Sequence, residues 1–188
     1  MAPKRARTDA AASPSGPAVK YAAQHTPALA GTAFATLYES GELCDGEVLH
    51  QGATQQVSCR ALAAASSFCR AALCRWQTAG AKPRVTIDSS LSSQCVAALL
   101  RFAHTGSLEV ADSEAENLLV AADQLGFAEP IPSIGMHLAS TLTPETCISR
   151  LALATRHSAD ALGEAAIKVA GEHWAAVAAS PAFKPVVG

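Results

Sequence analysis

Residues 84–110 read RVTIDSSLSSQCVAALLRFAHTGSLEV, and the hydrophobic period changes twice within them. Arg84-Val85-Thr86-Ile87-Asp88 alternates and is β-branched, the pattern of a half-buried strand. Over 92–104 the period becomes three and four residues, so Val96, Leu99, Leu100 and Ala103 share one helical face. Thr105-Gly106 stops that helix, because glycine takes the left-handed backbone that closes a helix. Ser107-Leu108-Glu109-Val110 then reads as another strand.

Toward the N-terminus, Glu47-Val48-Leu49-His50 and Gln55-Gln56-Val57-Ser58 read as two short strands around Gln51-Gly52-Ala53-Thr54. Residues 59–76 read as two Ala-rich helical pieces, with Ser66-Ser67 as an N-cap break between them. A helix from about His25 carries Ala28, Leu29, Ala33, Phe34, Leu37 and Tyr38 on one face and ends at Gly41. Toward the C-terminus, Ser113 with Glu116 forms a capping-box pattern opening a helix that Gly126 closes. A short helix over 131–142 follows, then one opened by Thr143-Pro144 and running to about His157. A last helix spans Ala159 to Ala179, with Ile167, Ala170, Trp174 and Val177 on a similar face turned to the core. The expected class is α+β: a small sheet interleaved with helices, then helices alone.

Composition narrows the function. The chain has 188 residues, a net charge of −2 and 16% charged residues, a balance that argues against nucleic acid as a partner. Of the 188 residues 42 are Ala and only 39 are Leu, Ile, Val or Phe, so small side chains are expected at the helix packing faces. No apolar run is long enough to cross a membrane, and no apolar segment follows the N-terminus as in a secretory signal. Residues 1–21 read as a disordered Ala/Pro/Ser tail whose Lys4, Arg5 and Arg7 form a nuclear-import candidate. Six cysteines without a signal sequence read as reduced thiols, with Cys44 and Cys59 as buried core thiols. Cys74, beside Arg75, is the redox candidate. No second Cys or His pair stands at zinc spacing, so no metal and no cofactor are expected. Nucleophile elbows, phosphate loops and metalloprotease motifs are missing, and a non-catalytic chain is expected.

Six motifs in order resemble the BTB/POZ domain family, with a partial BACK (3-box) extension of the Kelch-like type. Leu43-Cys44-Asp45 is similar to the family's "L-C-D-V", and 59–67 (CRALAAASS) to "H-R-A-V-L-A-A-S-S". Residues 102–108 (FAHTGSL) resemble "F-I-Y-T-G-x-L", and 117–125 (NLLVAADQL) resemble "D-L-L-x-A-A-D-x-L". Thr143-Pro144-Glu145-Thr146-Cys147-Ile148 resembles the opening of a BACK domain, and Ser180-Pro181-Ala182-Phe183 its "S-x-E-F" element. The chain departs from the family at Cys59 (His), at His104 (Tyr) and at Trp76-Gln77-Thr78, where cullin-binding members carry an acidic third residue.

The resemblance implies a BTB/POZ fold over 22–129 and BACK-like helices over 130–188. It implies a homodimer through Ala28, Leu29, Ala33, Phe34 and Leu37. It implies an adaptor that binds the N-terminal domain of cullin-3 through Leu73, Arg75, Trp76, His104 and Asn117. Ile148 and Leu151 would hold the cullin's N-terminal extension. Such an adaptor recruits an unidentified substrate protein to a cullin-RING ubiquitin ligase, or competes for the cullin. The alternative is a BTB scaffold or corepressor-binding dimer without cullin binding. The expected location is the cytoplasm, or the nucleus if the basic tail acts. No Kelch propeller follows within these residues, which leaves a fragment, a short adaptor and a viral mimic of a host adaptor as open readings.

Overall fold

The computed structural model describes residues 18–22, 32–75, 81–88 and 90–179. In order they form β1 (Ala18–Ala22), α1 (Thr32–Ser40), β2 (Gly46–His50), β3 (Ala53–Val57), α2 (Cys59–Ala65), α3 (Ser67–Arg75) and β4 (Arg84–Thr86). Then come α4 (Ser93–Thr105), β5 (Ser107–Ala111), α5 (Ala115–Gln124), α6 (Ile131–Ser140), α7 (Cys147–Arg156), α8 (Asp160–Glu172) and α9 (Trp174–Ala179). The α+β class read from the sequence is the class observed.

Two small sheets result. β2 and β3 form an antiparallel hairpin whose turn is Gln51-Gly52, with φ of 48° and 79°. Two positive-φ residues between paired positions make the two-residue hairpin turn that matches strand twist. β4 joins the other edge of β2 in parallel, with Glu47 opposite Arg84, and the Arg84 guanidinium grips the Glu47 carboxylate at 2.5 Å. The second sheet pairs β1 with β5 antiparallel, Val19 opposite Val110. This corrects the expected tail, because residues 18–21 lie in a strand. Its pairing partner is some ninety residues away, so no local pattern announced it.

The core is built around α4 and α5. From α4 it takes Cys95, Val96, Leu99, Leu100 and Phe102, and from α5 Ala115, Leu118, Leu119, Ala121 and Ala122. The buried alanines let the helices approach closely, as the composition implied. α4 ends where Gly106, at φ 67°, donates its N–H to the Phe102 carbonyl at 2.8 Å.

The junction between α5 and α3 is tight. Ser66 is fully buried; its hydroxyl donates to the Leu125 carbonyl at 2.5 Å and accepts the Cys69 N–H at 2.9 Å. It is therefore the N-cap of α3, as expected from the Ser66-Ser67 break. The Ser67 N–H in turn donates to the Gly126 carbonyl at 3.1 Å. A Cβ on Gly126 would stand 2.0 Å from the Ser67 hydroxyl oxygen, and its φ of 65° also favours glycine.

Several local expectations give way to tertiary contacts. Ser113 does not cap α5: it lies inside a 3-10 turn, Asp112–Glu114, and α5 starts at Ala115. Glu116 instead holds Arg150 at 3.0 Å. Thr143-Pro144 opens a turn rather than a helix. The Thr143 N–H donates to the Thr146 hydroxyl at 3.0 Å, and α7 begins at Cys147. The expected last helix breaks at His173, whose φ of −120° and ψ of 31° leave the helical register. Residues 167, 170, 174 and 177 share a stripe only on one continuous helix. Accordingly Val177 is buried while Ile167 and Trp174 are 62% and 56% exposed, so Trp174 is not core. Cys44 and Cys59 are half-buried rather than buried, and Cys74 is exposed.

The C-terminal helices dock on α5 and α6 through charge-assisted contacts. The Arg150 guanidinium donates to Glu116, to the Leu138 carbonyl at 2.8 Å and to the Thr141 hydroxyl at 2.8 Å. The buried His157 ring donates from Nδ1 to Asp123 at 2.8 Å. Separately, His137 on α6 meets Asp112 in the 3-10 turn before α5 at 2.5 Å. No described helix is long and apolar enough to cross a membrane.

Ser66→Ala is expected to cost about 2 kcal/mol, since it removes a cap and strands a buried carbonyl. Urea denaturation checks this; a loss below about 0.5 kcal/mol contradicts the junction's role. Arg150→Met keeps the side-chain stem but removes three hydrogen bonds. A loss of about 2 kcal/mol is expected, above the level of an exposed ion pair, because the Arg150 side chain is only 14% exposed. An unchanged urea midpoint would mean that the α7 docking is apolar.

Candidate protein-interaction surfaces

Two surfaces stand out. The first centres on the end of α1. Leu37, Tyr38, Leu43, Cys44, Ser58 and His104 line an apolar depression, and Leu43 is 51% exposed at its rim. Its floor is a fixed polar network. The His104 ring stacks on Tyr38 with centroids 4.0 Å apart and planes 15° from parallel. The Leu100 carbonyl lies 2.7 Å from Nδ1, and the Ser58 N–H donates to Nε2 at 3.0 Å. A carbonyl only accepts and an N–H only donates, so Nδ1 carries the proton and Nε2 is bare. Burial pushes the His104 pKa down, the Leu100 carbonyl opposing. Burial also raises the Tyr38 pKa, while the Gln55 amide donating to its hydroxyl lowers it.

His104 is therefore misplaced in the expected partner-binding set. It is 4% exposed, and its polar atoms serve the chain itself. Of the expected dimer residues, Leu37 is half-buried in this depression, and Ala33 and Phe34 belong to α1. Ala28 and Leu29 lie outside the described residues, as do Lys4, Arg5 and Arg7.

The second surface lies where α7 meets α5. Arg150 on α7 is tied to Glu116 on α5; Ile148 and Leu151, both half-buried, lie on α7, and Asn117 follows Glu116 on α5. Asn117 is exposed and donates to the Glu114 carboxylate at 3.1 Å, which helps to lower the Glu114 pKa. The helices that carry three expected residues are thus joined by an ion pair that spans 34 positions and has no local sequence signature. Leu73 and Arg75 end α3, which packs on α2 and β4; Leu73 leans on the core and Arg75 is exposed. Trp76 lies outside the described residues. On the same helix Phe68 is 38% exposed, an apolar position the motif reading passed over.

The cysteines offer little chemistry. Burial and the neighbouring Asp45 push the Cys59 thiol up to about 11, and burial and Glu114 push Cys95 up to about 12. Such thiols stay protonated at neutral pH and pack as small apolar groups. Among the described residues no three His, Cys, Asp or Glu side chains converge as metal ligands.

Human Kelch-like protein 6 is 29% identical over 110 residues, which are 57% of this chain and 18% of that protein. The chain thus spans under a fifth of that relative's length. A solved structure of the BTB (Tramtrack and Bric a brac) domain of human gigaxonin is 21% identical, with a TM-score of 0.44. The match covers 53% of this chain and 82% of that one. The BTB/POZ domain family model matches residues 34–142, from α1 through α6, with α7–α9 following it. That match covers more than half of the chain, which belongs to the BTB/POZ domain family of protein-interaction modules.

Proposed function

We propose that this chain is a homodimeric BTB adaptor that binds the N-terminal domain of cullin-3. It would recruit substrates to a cullin-RING ubiquitin ligase, or compete for that cullin. The observation that supports the reading is the Arg150–Glu116 bond, which joins α7, the helix of Ile148 and Leu151, to α5, the helix of Asn117. A BTB helix and the extension beyond the BTB match then present one surface to one partner. The ordered motifs similar to Kelch-like adaptors support the same reading, and so does the identity to Kelch-like protein 6. The work is recruitment, and affinity comes from buried apolar anchors with a polar rim. α7–α9 act as a partial BACK segment.

The dimer forms through α1 and the depression at its end. Leu43 is half exposed in the single chain, so replacing it does not disturb the core. A second copy that buries Leu37 and Leu43 gains roughly 1.5–3 kcal/mol per side chain. Two cullin sites on one dimer raise avidity for a bivalent target.

Leu43→Glu is expected to weaken the dimer about tenfold or more by sedimentation equilibrium, with an unchanged circular dichroism spectrum. Equal association by the variant would place the dimer contact elsewhere. In calorimetric titrations with the cullin-3 N-terminal domain, submicromolar binding is expected. Trp76→Ala should weaken it roughly 30-fold and Ile148→Asp comparably, on the scale of interface hot spots. An intact dimer with no binding would favour the scaffold or corepressor alternative, because Trp76-Gln77-Thr78 lacks the acidic residue.

A further inference from the structure

α1 packs chiefly on α4, and its exposed ion pair, Glu39 with Arg101 at 3.3 Å, contributes little. Tyr38 anchors its C-terminal end, stacked on His104 and bonded through its hydroxyl to Gln55. The His104 ring is itself fixed only while neutral. Nε2 has to remain bare to accept the Ser58 N–H, since Nδ1 already donates to the Leu100 carbonyl. A second proton on the ring would set one donor against another at 3.0 Å. Ser58 would lose its acceptor, and the ring would have to leave its stack.

The described titratable and charged groups around the ring do not relieve this. On α1 they are Tyr38 and Glu39, the latter engaged with Arg101 on α4. On the segment before β2 they are Cys44 and Asp45, and the Asp45 carboxylate accepts the Cys59 N–H at 2.6 Å. Cys59 at the start of α2 is a protonated thiol, and Lys82 beyond it is a cation. Burial is the main influence on the ring's proton, and the Leu100 carbonyl opposes it.

We propose that His104 is an acid-sensitive latch: its protonation releases α1 from α4 and thereby weakens the dimer. The dimer consequence rests on the reading of α1 as the dimer face. The direction follows from linkage. Burial holds the folded-state pKa below that of a free histidine, so the released state binds more protons. The latch is intact above about pH 7.5 and fails as the pH falls below about 6.5 through the lowered folded value. At pH 5.5, one unit below the free pKa, linkage caps the bias toward release at about tenfold.

The test is hydrogen exchange of the full chain at pH 7.5 and 5.5, corrected for intrinsic rates, with sedimentation equilibrium on the same samples. The wild-type chain is expected to lose protection over residues 35–43 and at Ser58 by up to about tenfold in acid, with a parallel weakening of the dimer. His104→Gln offers an amide oxygen to Ser58 and does not titrate, so it should change less than about twofold. If the variant fails to fold, the wild-type exchange pattern decides alone. Unchanged α1 protection in the wild type overturns the latch, and so does an equal loss in a folded His104→Gln. Lost α1 protection with an unaltered dimer overturns the coupling to assembly. A monomer at pH 7.5 overturns the dimer reading, and the exchange data then judge the latch separately.

Discussion

The hydrogen bond from the buried Ser66 hydroxyl to the Leu125 carbonyl fixes where α5 ends against α3. Everything downstream is referred to α5. Its inner face carries Leu118, Leu119, Ala121 and Ala122 into the core beside α4. Its outer face offers Glu116 to Arg150 and Asp123 to His157. A slip of α5 along its axis would break both outer contacts and open a void inside. The missing Cβ of Gly126 permits the close approach that prevents such a slip.

The two candidate surfaces have different mechanical backing. The α5–α7 contact rests on charge-assisted hydrogen bonds from Arg150 and His157, whose side chains are 14% and 6% exposed, to the more exposed Glu116 and Asp123. The α1 surface rests on a stacked pair and a single histidine acceptor. That asymmetry suits a constant partner site on one side and a conditional self-association on the other. Packing and protonation events of this kind are one way in which a protein-interaction module can be regulated.

Much of the fold was legible because the chain is punctuated. Gly41, Gly106 and Gly126 all take positive φ where the periodicity runs out, and Ser66 caps where the alanines break. β1 was not legible, since Ala18–Ala22 is short and its partner β5 is remote. The capping-box pattern at Ser113 and Glu116 failed because Arg150, a tertiary partner, claims the carboxylate. His104 sat in the right motif and on the right helix, but a motif does not say which way a ring points. Its true role needed Tyr38, Leu100 and Ser58 in three dimensions. The Ile167–Val177 stripe misled for a similar reason: the periodicity ran through a break at His173 that no proline or glycine marks at that position.

The central claim is that one dimer of this chain presents two equivalent cullin-binding platforms. Multi-angle light scattering of the purified chain mixed with an excess of the cullin-3 N-terminal domain tests it most directly. The account predicts a single complex with the mass of two copies of each. Separate peaks for a chain dimer and free cullin domain would contradict it.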